Sequence, residues 1–191
     1  SLWGSSSSDE SKPKNLTTTE KAEVFANQKG WVVRAGSTRT GNGNTAATPE
    51  VLVALGGLST ALAAATISST EFDISSFDVS AGGTLSVTVN YNEQITVAGS
   101  PTIAVTNSQA GGGSAASLTL TKSASTANTV TFTLVVGAAG STISADDILS
   151  IGAQNVLLAG GTITDTVATT AAAVAVSAAA GAGAGTITAV A

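Results

Sequence analysis

The sequence predicts an all-β protein: an antiparallel β-sandwich preceded by an N-terminal arm, a short helix and a β-hairpin. Three observations carry this prediction. Short apolar runs with a period of two recur from Phe72 onward, only 10% of the residues are charged, and only 4% are aromatic. Aliphatic and β-branched residues that alternate with Ser and Thr are typical of half-buried strands. A core of Val, Ile, Leu and Ala suits packed strands better than a ligand pocket.

The composition also restricts the chemistry of the chain. Among its 191 residues there is no Cys and no His. The protein therefore has no disulfide, and it lacks the commonest metal ligand, the usual general base near pH 7 and the most reactive nucleophile. We expect a protein that is not an enzyme and that uses no cofactor and no metal.

The distribution of charge divides the chain into two parts. Six of the seven basic residues lie in the first 39 positions, whereas Lys122 is the only cation after Glu50, among seven acids. We expect an attachment segment with arm, helix and hairpin at 1–68 and a sandwich domain at 69–191. The alternative is a frayed terminus followed by one domain. We expect neither a nucleic acid nor a membrane as a partner.

Two Trp residues and one Leu are the candidate partner-binding residues. Leu2 and Trp3 precede a Gly and four Ser, so they resemble an apolar plug on a flexible tether. Trp3 is predicted to insert into a partner's pocket, and a disordered terminus is the alternative. Trp31 is either part of the same binding segment or a residue of the core.

The rest of the N-terminal segment predicts a helix and a hairpin. Thr17 and Glu20 fit a capping box, which predicts a helix from 18 to about 27. The apolar runs WVVRAG and EVLVALGGL bracket a turn-rich stretch, which predicts the hairpin. The apolar run at 51–67 is predicted to form two short buried strands, with a membrane span as the alternative.

The remaining sequence predicts the strands of the sandwich. Alternation predicts that Val89 and Phe132 face the interior while Thr88 and Thr131 face solvent. The low-complexity tail at 166–191 has three alternatives: a last strand pair at 171–176 and 186–190, a disordered tail, or a segment that adds to a sheet of another subunit. The predicted strands span 72–80, 84–92, 94–99, 101–107, 116–123, 129–137 and 156–165.

Three acids of the second half form a candidate Ca²⁺ site. Asp146, Asp147 and Asp165 have suitable oxygens, but no loop places ligands at alternate positions, so solvated loop acids are favoured. The glycine runs at 111–113 and 181–185 have neither the spacing nor the Lys of a phosphate-binding loop.

Most of the second half resembles a known family of surface modules. The order VTVNYNEQITVAGSPTIAVTN, SLTL, NTVTFTLVVG and GGTITD is similar to the bacterial Ig-like repeats of large surface and adhesin proteins. Glu93, Pro101, Phe132 and 160–165 stand at the expected places, while 167–170 replace the closing Gly-Asn. The resemblance implies an Ig-like sandwich that serves reach and adhesion and carries no catalytic residues.

The first half resembles a different group of proteins. SLWG with a polar spacer, SKPKNL, TEKAEVFA, KGWVVR and EVLVALGGL are similar to small virion structural proteins of tailed phages that infect marine bacteria, including cyanobacteria. Together the resemblances imply a capsid-decorating protein, made in the host cytoplasm and present in many copies on the major capsid protein or another virion protein. The alternative is an adhesin or host-binding module of a phage fibre or bacterial surface protein, with a host surface glycan as ligand.

Overall fold

The computed structural model describes residues 12–108, 114–138 and 142–191. Its elements confirm the all-β, sandwich-like fold. Within these ranges there are three short helices, α1 (Thr18–Glu23), α2 (Leu58–Ala61) and α3 (Ala178–Gly183), and a 3-10 turn at Thr38–Thr40. The strands are β1 (Val24–Asn27), β2 (Gly30–Val33), β3 (Glu50–Ala54), β4 (Ile67–Phe72), β5 (Phe77–Asp78), β6 (Gly83–Tyr91), β7 (Ile95–Ala98), β8 (Thr102–Asn107), β9 (Ser117–Ser125), β10 (Thr129–Val136), β11 (Ile148–Ser150), β12 (Gln154–Asn155), β13 (Thr162–Asp165), β14 (Ala175–Val176) and β15 (Thr186–Val190).

The N-terminal sheet consists of β1, β2 and β3 in that order, with antiparallel pairing. The predicted hairpin is present as β2 and β3, and β1 adds a third strand through a tight turn. Gly30 follows this turn with φ of 124°, and a Cβ there would lie 2.1 Å from the Val53 carbonyl oxygen. Only glycine fits this close approach of two strands.

The first helix is shorter than predicted. The capping box of Thr17 and Glu20 is present, so the start of the helix is confirmed. The helix ends at Glu23, however, because Val24–Asn27 pairs with Gly30–Val33 as β1. Val and Phe favour a strand when a partner is available, and a helix of one or two turns has little stability of its own.

The prediction of two buried strands at 51–67 is wrong in both parts, since the first strand is exposed or half-buried along its length and a helix stands in place of the second. β3 forms, but α2 follows it, and its Leu58 packs into the N-terminal sheet's own apolar cluster. A short helix can bury Leu58 and Leu62 on one face, since these positions are one turn apart. None of the helices in the described ranges has the length and apolarity needed to cross a bilayer.

The sandwich is built around one long sheet with the strand order β4-β6-β10-β9-β8-β11-β15-β5. Its pairs are antiparallel except for the parallel pair of β15 with β5. β5 stands at one end of this order yet contacts β6 near the other end, so the sheet folds back on itself. Two small ribbons, β12 with β14 and β13 with β7, complete the structure.

Alternation assigned the interior residues of the sandwich correctly and misassigned one outward residue. Val89 and Phe132 have no exposed surface, as predicted. Thr88 is only 7% exposed, so its assignment to solvent is wrong. Its hydroxyl donates to Asp73 Oδ2 at 3.1 Å and lies 3.1 Å from the hydroxyl of Thr131, which is half-buried. A layer of hydrogen-bonded side chains therefore covers this face.

The tail is part of the sandwich. β15 pairs with β11 and β5, so 186–190 is a strand, as one alternative proposed. It does not pair with 171–176, where β14 instead pairs with β12. Between them Ser177 caps α3 through a bond from the Ala180 N–H at 3.1 Å.

The two parts of the chain have separate apolar clusters. One contains the inner residues of the sandwich, and the other lies between the N-terminal sheet and α2. The parts meet at β1, where the Ala26 N–H donates to the Asn92 carbonyl at 2.7 Å and the Ala26 carbonyl accepts from the Gln94 N–H at 3.3 Å. The N-terminal sheet is thus docked on the sandwich through backbone hydrogen bonds.

Candidate attachment surface

The outer edge of β3 is the uncovered side of the N-terminal sheet. β2 pairs with its inner side, and no strand within the described ranges pairs with its outer side. β2 is completely buried, whereas Val51 of β3 is 39% exposed. An unpaired strand edge offers backbone N–H and C=O groups that another chain can use to add a strand.

The other sheet edges are less suited to this role. β1 is covered by the bonds of Ala26 to the segment that follows β6. In the sandwich, β4 packs against α3, and β5 has only two residues. Among the outer strands of the two larger sheets, β3 therefore combines an open edge, an exposed apolar residue and a useful length.

The cluster behind β3 supports this edge from within. Trp31 is fully buried there with Val33, Leu58 and Leu62, and Leu52 and Val53 of β3 pack against them. The structure therefore supports the alternative in which Trp31 is a core residue. The prediction that Trp31 contacts a partner directly is corrected, because its ring is buried. Its contribution is to hold β3 in place through packing.

The other two predicted binding residues, Leu2 and Trp3, lie outside the described residues. Their insertion into a partner therefore stays a prediction.

Two of the N-terminal cations are paired within the protein. Arg39 Nη1 lies 2.8 Å from Glu20 Oε1, and Arg34 Nη2 lies 3.7 Å from Glu23 Oε1. The backbone N–H of Thr17 and the Arg39 side chain lower the pKa of Glu20 to about 2. Glu23 is buried and also accepts a short hydrogen bond from the Ser37 hydroxyl. These arginines hold the 34–49 loop against α1, so their charge is largely neutralised for any partner.

A second cluster of polar residues lies where the N-terminal sheet meets the sandwich. Glu93 and Asp165 are 0% and 1% exposed, and their carboxyl groups lie within hydrogen-bonding reach of each other. Burial, followed by the charge of Asp165, raises the pKa of Glu93 to about 8. At neutral pH Glu93 therefore keeps its proton.

The acids considered from sequence do not form one site. Asp147 is buried, and its Oδ2 accepts bonds from the Asn107 side chain at 2.6 Å and the Ser144 N–H at 2.8 Å. Burial opposes its ionisation, but these hydrogen bonds outweigh burial and lower its pKa. Asp146 is exposed, and Asp165 instead pairs with Glu93. Within the described ranges, no three acidic residues converge in a way that could hold a metal ion.

Sequence reasoning did not identify the two features that organise this surface. The open edge of β3 depends on which strands pair, which a period of two does not specify. Glu93 had a visible signal, since an acid stands at the end of the apolar alternation of VTVNYNEQITV, but its partner lies far along the chain. No family profile, no curated protein and no solved structure matches the chain.

Proposed function

We propose that this chain is a virion structural protein that decorates a capsid, attaches through its N-terminal segment and displays its Ig-like domain outward. The observation that carries the proposal is the open, partly apolar edge of β3 in a small sheet with its own core. Such an edge suits attachment by strand addition, in which backbone hydrogen bonds provide affinity and alternate side chains provide specificity.

The charge of the two parts supports this orientation. The sandwich carries one cation, Lys122, among seven acids after Glu50, so copies of this domain repel one another. Repulsion favours an outward, solvated position for the sandwich and leaves attachment to the N-terminal segment. On a symmetric particle many copies lie side by side, and contacts between neighbours then raise the fraction of attachment sites that are occupied.

Leu2 and Trp3 are proposed to supplement the edge of β3. They stand a short spacer before Lys12, whose Nζ bonds the Lys21 carbonyl at 2.6 Å on α1. An aromatic side chain that enters a partner's pocket contributes a large apolar area beside the backbone pairing.

Electron microscopy of the native particles tests the proposal. The expected result is density of the sandwich at symmetric positions on the shell, with the N-terminal sheet on the inner side of that density. Density on fibres or on cell surfaces alone would contradict the proposal.

The second candidate is an adhesin or host-binding module. Two exposed apolar side chains of the sandwich favour it, Val135 at 78% and Leu157 at 63% exposure. Isolated apolar residues of this kind are common on protein surfaces, so they carry less weight than an open strand edge. Binding of the full chain to host cells or to a glycan array, without binding to capsids, would select this candidate.

A further inference from the structure

The loop that joins β2 to β3 contains the one Asn-Gly pair of the chain, Asn42 and Gly43. Both residues are exposed, and the 34–49 loop that carries them is held against α1 by the ion pairs of Arg34 and Arg39. The backbone N–H of Gly43 has no acceptor among the described residues. The peptide nitrogen of Gly43 is therefore open to solvent and free to react.

The side chain of Asn42 is held in position for attack by this nitrogen. Its Oδ1 accepts the backbone N–H of Asn44 at 3.0 Å. This bond folds the side-chain amide back over the peptide that links Asn42 to Gly43. A donor at the amide oxygen also stabilises the negative charge that this oxygen acquires when the amide carbon is attacked. The local structure thus prepares the side chain for reaction with its own backbone.

We propose that Asn42 is a site of spontaneous modification, at which a cyclic imide with Gly43 forms and then opens to Asp or isoaspartate. The Gly43 nitrogen loses its proton and bonds to Cγ of Asn42, and the Cγ–Nδ2 bond breaks as Nδ2 leaves with a proton as ammonia. Water then opens the imide. Cleavage between the nitrogen and Cγ gives Asp, and cleavage between the nitrogen and the backbone carbonyl carbon of Asn42 gives isoaspartate.

Two other Asn residues have the same hydrogen bond but a different following residue. Oδ1 of Asn44 and Oδ1 of Asn27 each accept the backbone N–H two residues further along, at 3.0 and 2.8 Å. Thr45 follows Asn44, and Gln28 follows Asn27. A Cβ on the following residue, and above all a branched one, obstructs the approach of the amide carbon to the peptide nitrogen. Gly43 has no Cβ, so Asn42 is expected to react first.

The reaction changes the charge of the loop and leaves the fold in place. It adds one negative charge to a chain whose formal net charge is −5. Isoaspartate also inserts one methylene group into the backbone. The loop has room for both changes, because its residues from 41 to 46 are exposed and a Cβ on Gly43 would meet nothing within 4 Å. The N-terminal segment therefore becomes more acidic as the protein ages, whatever the protein attaches to.

Peptide mapping by mass spectrometry tests the site after incubation of the full chain. Cleavage after Arg39 and after Glu50 isolates the peptide 40–50, whose fragmentation distinguishes Asn42 from Asn44. Incubation in isotopically labelled water is expected to release ammonia and to add one solvent oxygen at position 42. The rate is expected to increase with pH, since the attacking nitrogen must lose its proton.

Two variants change only the residue that follows the reacting Asn. Gly43→Ala is expected to fold normally by circular dichroism, because φ of Gly43 is not positive and its Cβ meets open space. It is expected to slow the conversion of Asn42 by roughly tenfold or more. Thr45→Gly makes the reverse change and is expected to accelerate the conversion of Asn44 by a similar factor.

Three results would overturn the proposal. The first is conversion of Asn42 in the original chain that is no faster than conversion of Asn44. The second is an equal rate at Asn42 in the original chain and in Gly43→Ala. The third is a product at Asn42 that forms without release of ammonia or without oxygen from the labelled water, which would exclude the cyclic imide.

Discussion

Replacement of Phe132 by Ala tests the sandwich core most directly. Phe132 has no exposed surface and lies in β10, which is paired on one side with β6 and on the other with β9. Its cross-strand partner on β6 is Val87, which is also fully buried. Removal of the ring therefore leaves a cavity that strands on both sides restrain from closing.

The expected cost is large relative to the stability of a domain. A buried Phe→Ala change lowers the free energy of unfolding by about 3–5 kcal/mol, the sum of lost apolar transfer and the remaining cavity. For a chain of this length, that corresponds to a fall in Tm of roughly 6–20 °C. The slope of the unfolding free energy against urea concentration is expected to stay the same in the variant, because the folded state remains compact.

Val135→Ala is the matched control. Val135 lies in the same strand and is 78% exposed, so its replacement is expected to change the free energy of unfolding by less than about 0.5 kcal/mol. Urea unfolding followed by circular dichroism measures both variants. Similar midpoints for Phe132→Ala and Val135→Ala would refute the assignment of the two faces of β10.

Three further predictions concern single groups. Thr88→Ala should cost about 0.5–1.5 kcal/mol, since it removes the hydrogen bonds of a buried hydroxyl to Asp73 and Thr131, and an unchanged urea midpoint for Thr88→Ala would contradict this. Gly161→Ala should destabilise the protein in thermal unfolding, because its Cβ would lie 2.3 Å from a carbonyl oxygen of β7, whereas Gly152→Ala has open space and should be tolerated. Stability should fall by about 1.4 kcal/mol per pH unit as pH rises from about 5 toward 8, since folded Glu93 keeps a proton that the unfolded chain loses near its ordinary pKa of 4.5. A similar pH slope in Glu93→Gln would contradict the assignment.

The sequence was sufficient for the central strands of the sandwich, at 84–92, 101–107, 116–123 and 129–137, because their pattern is local. It missed β11, and its strands at 72–80 and 156–165 were too long, since the structure has mainly the short β5 and β13 there. The alternation through Val89 and Phe132 identifies buried faces without knowledge of the pairing. Thr88 shows the limit of the same rule. The Thr88 side chain is buried because its hydroxyl forms hydrogen bonds with Asp73 and Thr131. Alternation of polar and apolar residues does not reveal tertiary hydrogen bonds of this kind.

The N-terminal segment was predicted less accurately because its short elements depend on distant partners. Val24–Asn27 leaves the helical pattern only because β2 and the segment after β6 are available for pairing. Leu58–Ala61 forms a helix because it covers Trp31 and its neighbours. In both cases tertiary contacts outweigh weak local preference.

The candidate sites were the least predictable part. On the sequence alone, Asp165 stands beside Asp146 and Asp147 only as another acid of the second half. The fold instead brings Asp165 to Glu93 through the pairing of β7 with β13. Contacts of this kind depend on strand order, which a single sequence does not encode in its local pattern.

Binding to particles stripped of this protein tests the central claim that attachment resides in the N-terminal segment. Deletion of 1–11 removes Leu2 and Trp3 and leaves the described contacts of Lys12 and Leu16 in place. Burial of about 200 Å² of apolar surface, reduced by ordering costs, predicts a loss of affinity of roughly 30-fold or more.

Co-sedimentation of four proteins with these particles gives the measurement. The full chain and a control, Val135→Lys, are expected to bind equally. The deletion of 1–11 and Val51→Lys, which places a charge on the open edge of β3, are expected to bind much more weakly while folding normally by circular dichroism. Undiminished binding of both the deletion and Val51→Lys, with loss of binding in Val135→Lys, would contradict the account and assign attachment to the sandwich.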